Sequence, residues 1–262
     1  MMFFTNHRYK QIIVTTTGMF AGYASMVVLQ AKLKSHLNIP QTGEIAADFT
    51  FAVSCQYIGN LIFRIAHNFF FACVSSPTRV LIAQGCMLTA LSLLIMLFLI
   101  EVTNPVLVVG SAYMLSGVAV GSFEGNLISA ITPLGKQTKV WAITGIPLGF
   151  GFISIVGFIL MGLGVPPICL YILTFISNIA GVLVFRFTIP MDQSSHRQMD
   201  IIESFQHIRE WAPQCGIFWS AFIIDMFFVA SFGPVLLYLF NDHNYVPLFS
   251  PSAKTYLMNH DL

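Results

Sequence analysis

Residues 117–151 read GVAVGSFEGNLISAITPLGKQTKVWAITGIPLGFG, and the rest of the chain is organised around them. An apolar helix carries Glu124 in its middle, a short turn holds Lys136 and Lys139, and a second apolar helix is punctuated by Gly145, Pro147, Gly149 and Gly151. A carboxylate near the centre of a membrane-spanning helix costs about 3 kcal/mol or more to insert, so it faces a bundle interior or an aqueous path.

The surrounding composition makes this a membrane reading. The chain has 262 residues, of which 56% are hydrophobic and 9% charged, with a mean hydropathy of +0.78. Soluble domains are about 45–50% apolar and about 25% charged. An all-α, multi-pass protein follows, with the lipid bilayer as its first partner. The net charge of +1 offers no surface for nucleic acid.

The cysteines (Cys55, Cys73, Cys86, Cys169 and Cys215) lie in or beside apolar segments without CxxC pairing, and read as small core hydrophobes. HExxH, GxSxG, Walker A and GxGxxG patterns are absent, and no His clusters with Cys or Asp at metal spacing. No cofactor, metal or enzymatic reaction is therefore expected. The first apolar run lies behind Arg8 and Lys10 and lacks a small-residue cleavage site, so it reads as a signal anchor.

Seven apolar segments reach the length a bilayer requires, near 11–31, 47–66, 79–100, 105–131, 140–162, 166–187 and 214–239. With a cytoplasmic N-terminus, the inside connections hold Arg8, Lys10, Arg64, Arg79, Lys136, Lys139, Arg186, Arg197 and Arg209, and only Lys32, Lys34 and Lys254 lie outside. This asymmetry follows the positive-inside rule.

The expected organisation is a six-helix transmembrane half over 1–190, a cytoplasmic amphipathic connector over 191–213, a seventh helix over 214–240, and a polar non-cytoplasmic tail over 241–262. In the connector, Ile201, Ile202, Phe205 and Ile208 recur at helical spacing. Six spans, a connector and one more span form the pattern of a twelve-helix, two-half carrier cut just inside its second half.

Glu124 shares a helix face with Tyr113, Gly117 and Gly121, because offsets of three, seven and eleven residues return to nearly one direction. A stripe of small residues beside an acid predicts a closely approaching helix and an acid turned into the bundle. Glu124 then either binds a proton or cation on a substrate path, or fixes helix packing through hydrogen bonds. Asp225 is a second intramembrane acid, a candidate for coupling or a structural group with a polar partner. No Lys or Arg is expected at mid-membrane depth to pair with either acid.

Asn126 joins Tyr113 as a candidate lining residue, and Gln30, Gln56, Tyr57, Asn60 and Asn178 are further polar positions for a cavity wall. Trp141, Gly145 and Gly149 form a stripe expected to pack against the fourth span, and Pro147 removes one backbone hydrogen bond, a device for packing or gating.

Six spans followed by a connector resemble the major facilitator superfamily. Gly59-Asn60-Leu61-Ile62-Phe63-Arg64, placed between the second and third spans, is similar to that superfamily's Gly-x-Leu-x-Asp-Arg loop, with Phe63 in place of the acid and Ala66 where a later Gly belongs. Gly121-Ser122-x-Glu124, Leu127, Trp141 seventeen residues after the acid, and then Gly145, Gly149 and Gly151 resemble the corresponding region of battenin-type membrane proteins, relatives of the equilibrative nucleoside transporters. That likeness covers about 35 residues. It implies a lysosomal, endosomal or vacuolar membrane, against a plasma membrane for other branches, and carries over Glu124 alone.

The expected function is proton-coupled movement of a small solute by alternating access, in which a homodimer or a second half completes the cavity. A non-transporting scaffold or trafficking factor, or a truncated inactive carrier, is the alternative. Without a basic partner for the acids, cationic or neutral cargo is favoured over anionic cargo.

Overall fold

The computed structural model describes residues 10–40, 42–71 and 74–189, together with Arg209, Pro213, Gly216, Ser220, Ile223 and Ile224. The chain divides into two units, residues 1–196 and 197–262. In the second unit the described positions are helical and exposed, and the Ser220 hydroxyl donates to the Gly216 carbonyl at 2.8 Å. The amphipathic face expected at 201–208, the tail over 241–262 and Asp225 all lie outside the described residues.

The first unit consists of α1 (Ile12–Val28), α2 (Gln30–His36), α3 (Glu44–Phe70), α4 (Ser76–Leu99), α5 (Pro105–Ile131), a 3-10 turn (Thr132–Leu134), α6 (Lys136–Gly162) and α7 (Pro167–Thr188). Helix starts follow local chemistry. Pro105 and Pro167 sit at first helical positions, where the missing N–H costs nothing, and the Asn104 side chain caps α5 by accepting from the Leu107 amide at 3.3 Å. Gly135, at φ 98°, lets the chain reverse between α5 and α6 in a region a side chain would strain.

Among the described residues every regular element is helical. Four helices, α4 to α7, are long and apolar enough to cross a membrane, or five if the bent pair α1 and α2 is one span. This fits a multi-pass, all-α integral membrane protein. The bend between α1 and α2 is 55° and divides what reads in sequence as one span at 11–31. α3 is long enough at 27 residues but carries Glu44, Asp48, Gln56, Asn60 and Arg64.

Two expectations about α3 are corrected. The Gly59 to Arg64 stretch is not a connection between spans but lies inside α3, because nothing in it breaks a helix and its polar residues are accommodated against α5. The helix accordingly runs past Arg64 to Phe70.

Helix directions follow from the residues that meet. α1 and α5 run in opposite directions: the Tyr113 hydroxyl meets the Met26 carbonyl while Phe20 meets Phe123. α3 runs with α5, as Gln56 and Asn60 step past Gly117 and Gly121. α4 runs against α5, with Ser76 on Ser129 and Arg79 on Asn126. α6 runs with α1, Gly145 lying at Thr16 and Gly149 at Thr17 and Ala21, and α7 runs against α1, Gly18 lying at Ser177 and Gly181 at Thr15. The six long helices therefore alternate in direction along the chain.

The principal pairings are α3 with α5, α4 with α5, α1 with α6, α1 with α7, and α4 with α7. Exchanging the first three long helices (α1, α3, α4) for the last three (α5, α6, α7), in order, returns the same set. The α3–α5 contact becomes α6–α1, α4–α5 becomes α7–α1, and α4–α7 maps onto itself. Because three is odd, the second triplet runs inverted relative to the first. The Gly145 and Gly149 stripe belongs to this scheme: it packs on α1, not on the fourth span as expected, since α6 takes in the second triplet the place α3 holds in the first.

Candidate functional site

The site begins with missing side chains. A Cβ on Gly117 would lie 2.1 Å from the Gln56 carbonyl oxygen, one on Gly121 would lie 2.5 Å from that of Asn60, and one on Gly59 would lie 2.7 Å from that of Met114. The backbones of α3 and α5 therefore touch along two turns, which only glycine permits. From this crossing the ladder continues in register. Gln56 donates to the Ser116 hydroxyl at 3.1 Å. Two turns on, Arg64 donates to and forms an ion pair with Glu124. Beyond it, the His67 ring lies 3.5 Å from where a Gly125 Cβ would be.

The pair corrects the expectation that no basic residue meets the acid. Arg64 was assigned to a cytoplasmic connection because apolar character falters there. Helix α3 instead continues, and Arg64, eight residues beyond Gln56, stays on the face that follows α5.

Neither charge is sealed in. The Arg64 side chain is 47% exposed and that of Glu124 34% exposed. Tyr23 of α1 lies within electrostatic reach of Tyr57, Arg64 and Glu124, and its ring meets Phe150 of α6 edge-on at 5.7 Å. Four helices, α1, α3, α5 and α6, thus contribute to one half-open patch. On its α6 side a cleft of about 220 Å³ is walled by Thr16, Phe123, Glu124, Leu127, Ile143 and Ile146. A half-open ion pair beside an apolar cleft can exchange partners with a polar solute, and its carboxylate can accept a proton.

The other expected site residues are placed as follows. Tyr113 is fully buried and its hydroxyl donates to the Met26 carbonyl at 2.7 Å, next to the α1–α2 bend. Asn126 is buried, accepting from Arg79 at 3.3 Å and donating to the Ser122 carbonyl, while Arg79 also donates to the Val74 carbonyl at 2.7 Å. Asn126 therefore closes the α4–α5 end of the bundle. Trp141 is half-buried with the Lys10 ammonium 5.8 Å from its ring centroid, a cation–π contact between the starts of α6 and α1. Pro147 lies inside α6, between the two glycines that touch α1.

The structure brings Glu124, Gly117 and Gly121 together and keeps Tyr113 and Asn126 on separate tasks. Arg64 and Tyr23 were missed. The signal for Arg64 was present: Gln56, Asn60 and Arg64 recur every fourth residue, as a polar helix face does.

Comparisons with family models, with curated proteins and with solved structures returned no match to this chain.

Proposed function

We propose that this chain is a proton-coupled secondary transporter, with α1 to α7 as one half, moving a small solute across a membrane by alternating access. The observation that carries the reading is the exchange symmetry of the helix pairings, since an inverted three-plus-three repeat is how many carriers build a half-transporter around a mid-membrane site. The six long helices are six crossings with the N-terminus cytoplasmic. α3 is among them because Gln56 and Asn60 turn to α5 while Phe51, Ile58, Leu61, Ile62 and Ile65 are exposed, as a lipid-facing or partner-facing side requires. The Arg64–Glu124 pair lies on helices of both triplets, where rocking of one against the other would be sensed.

The likeness to battenin-type proteins supports this reading through Glu124. On that likeness the membrane would be lysosomal, endosomal or vacuolar, with a plasma membrane as the alternative, and a second half or a second copy would supply the opposing wall of the cavity. The test uses the full chain in vesicles with an entrapped pH dye and an imposed proton gradient, challenged with anionic, cationic, zwitterionic and neutral solutes. Solute-dependent proton movement that Glu124→Gln abolishes is expected. Proton movement unchanged by that substitution removes the acid from the mechanism, and none with any solute removes the transporter reading.

A further inference from the structure

We infer that Arg64 is the substrate-binding cation of this site: it takes the anionic group of a small solute, a carboxylate or phosphate, while Glu124 takes up the proton that releases it. The inference rests on the transporter reading and replaces the preference for cationic or neutral cargo, which assumed an acid without a basic partner.

The argument is one of charge balance. The pair holds one positive and one negative charge, and a solute that takes one partner leaves the other without its counter-charge. A cationic solute taken by Glu124 would strand Arg64, whose guanidinium cannot shed its proton. An anionic solute taken by Arg64 would strand Glu124, but a carboxylate can be neutralised by a proton from water. The two sides of the pair are therefore not equivalent. Only the anion-plus-proton exchange begins and ends with every charge matched, the solute's negative charge replacing that of Glu124 on Arg64.

The surroundings suit an anion. Tyr23 lies within electrostatic reach of the pair and brings a hydroxyl donor, and Tyr57, which in turn acts on Tyr23, is exposed on α3. Arg64 of α3 pairs with Glu124 and Tyr23 of α1 lies within electrostatic reach of it, His67 of α3 lies at the adjacent Gly125, and α6 contributes Ala142, Ile143 and Ile146, none of which titrates. Arg79 of α4, which also acts electrostatically on His67, is engaged by Val74 and Asn126. Glu44, Asp48 and Glu101, the other acids of the described helices and their connections, lie before the Gln56 turn of α3 or in the connection preceding α5, away from the Arg64 turn.

The test uses the purified full chain in detergent, with thermal unfolding and proton uptake in weakly buffered solution read against inorganic phosphate, acetate, citrate, glycine betaine, choline and glucose. Stabilisation by one or more of the anions, accompanied by uptake of about one proton per bound anion, is expected. Glu124→Gln should keep the anion stabilisation and lose the proton uptake. The double variant Arg64→Gln with Glu124→Gln leaves no charge stranded, should fold, and should lose the anion stabilisation. Choline or betaine stabilising the protein in place of the anions, anion binding that survives the double variant, or no stabilisation by any anion overturns the inference.

A lipid headgroup shares this chemistry, so the same measurement is made in nanodiscs of phosphatidylglycerol and of phosphatidylcholine. Stabilisation by phosphatidylglycerol alone, with no free anion effective, overturns a soluble substrate. Anion binding with proton uptake but no movement across vesicles overturns the transporter reading and leaves this inference standing. Proton-coupled movement of a cation or neutral solute does the reverse.

Discussion

Gly121 of α5 lies so close to Asn60 of α3 that an added methyl would sit 2.5 Å from the Asn60 carbonyl oxygen. One turn along the same crossing, Arg64 meets Glu124. The closeness of two backbones thus sets the position of a charge pair.

Gly121→Ala should push α3 from α5 and lower stability by about 2 kcal/mol, the usual range for overpacking a tight contact. Gly117→Ala, with its Cβ 2.1 Å from the Gln56 carbonyl, should cost more. Gly85→Ala, where no atom lies within 4 Å, should be neutral or slightly stabilising. Thermal unfolding of the three variants in one detergent ranks them, and equal midpoints for Gly117→Ala and Gly85→Ala would contradict the crossing.

The Arg64–Glu124 pair should behave as a half-exposed pair. A double-mutant cycle with Arg64→Gln and Glu124→Gln should return a coupling of about 1 kcal/mol, toward the top of the range for exposed pairs. Unfolding free energies of the four proteins supply the cycle. Zero coupling would mean that the two side chains do not meet in the folded protein.

Tyr113→Phe removes the hydroxyl from the Met26 carbonyl and leaves the ring in place. A loss of about 1 kcal/mol is expected, with solute-dependent proton movement largely retained. If that movement instead disappears as completely as with Glu124→Gln, Tyr113 belongs to the substrate path rather than to the bend it supports.

Helix directions make a prediction about sidedness. The connection before α5, which contains Glu101, should lie on the face opposite that of Lys136 at the start of α6. In a variant lacking the native cysteines, a cysteine at 101 should react with an impermeant maleimide from the non-cytoplasmic side, and one at 136 only after permeabilisation. Labelling of both from one side would remove the inverted repeat.

Much of the helical framework was legible in the sequence because a bilayer imposes a length and a polarity that a single segment must satisfy alone. The spans read at 79–100, 105–131, 140–162 and 166–187 lie on α4 to α7, within about four residues at each end. The segment read at 47–66 stops short of the end of α3 at Phe70 for the same reason: polar residues in isolation mark a span's end, whereas against a glycine-lined neighbour they mark an interior face. The bend after Val28 had no Pro or Gly to announce it.

What the sequence determined by itself is the class of molecule, its helices, and the acid at 124, because hydropathy and an insertion penalty are properties of one segment. Which helix each glycine touches, and that Glu124 meets Arg64 sixty residues earlier in the chain, were decided only by tertiary structure. A periodic stripe states that something approaches closely. Its direction and partner depend on the packing of six helices at once, and no single segment contains that information.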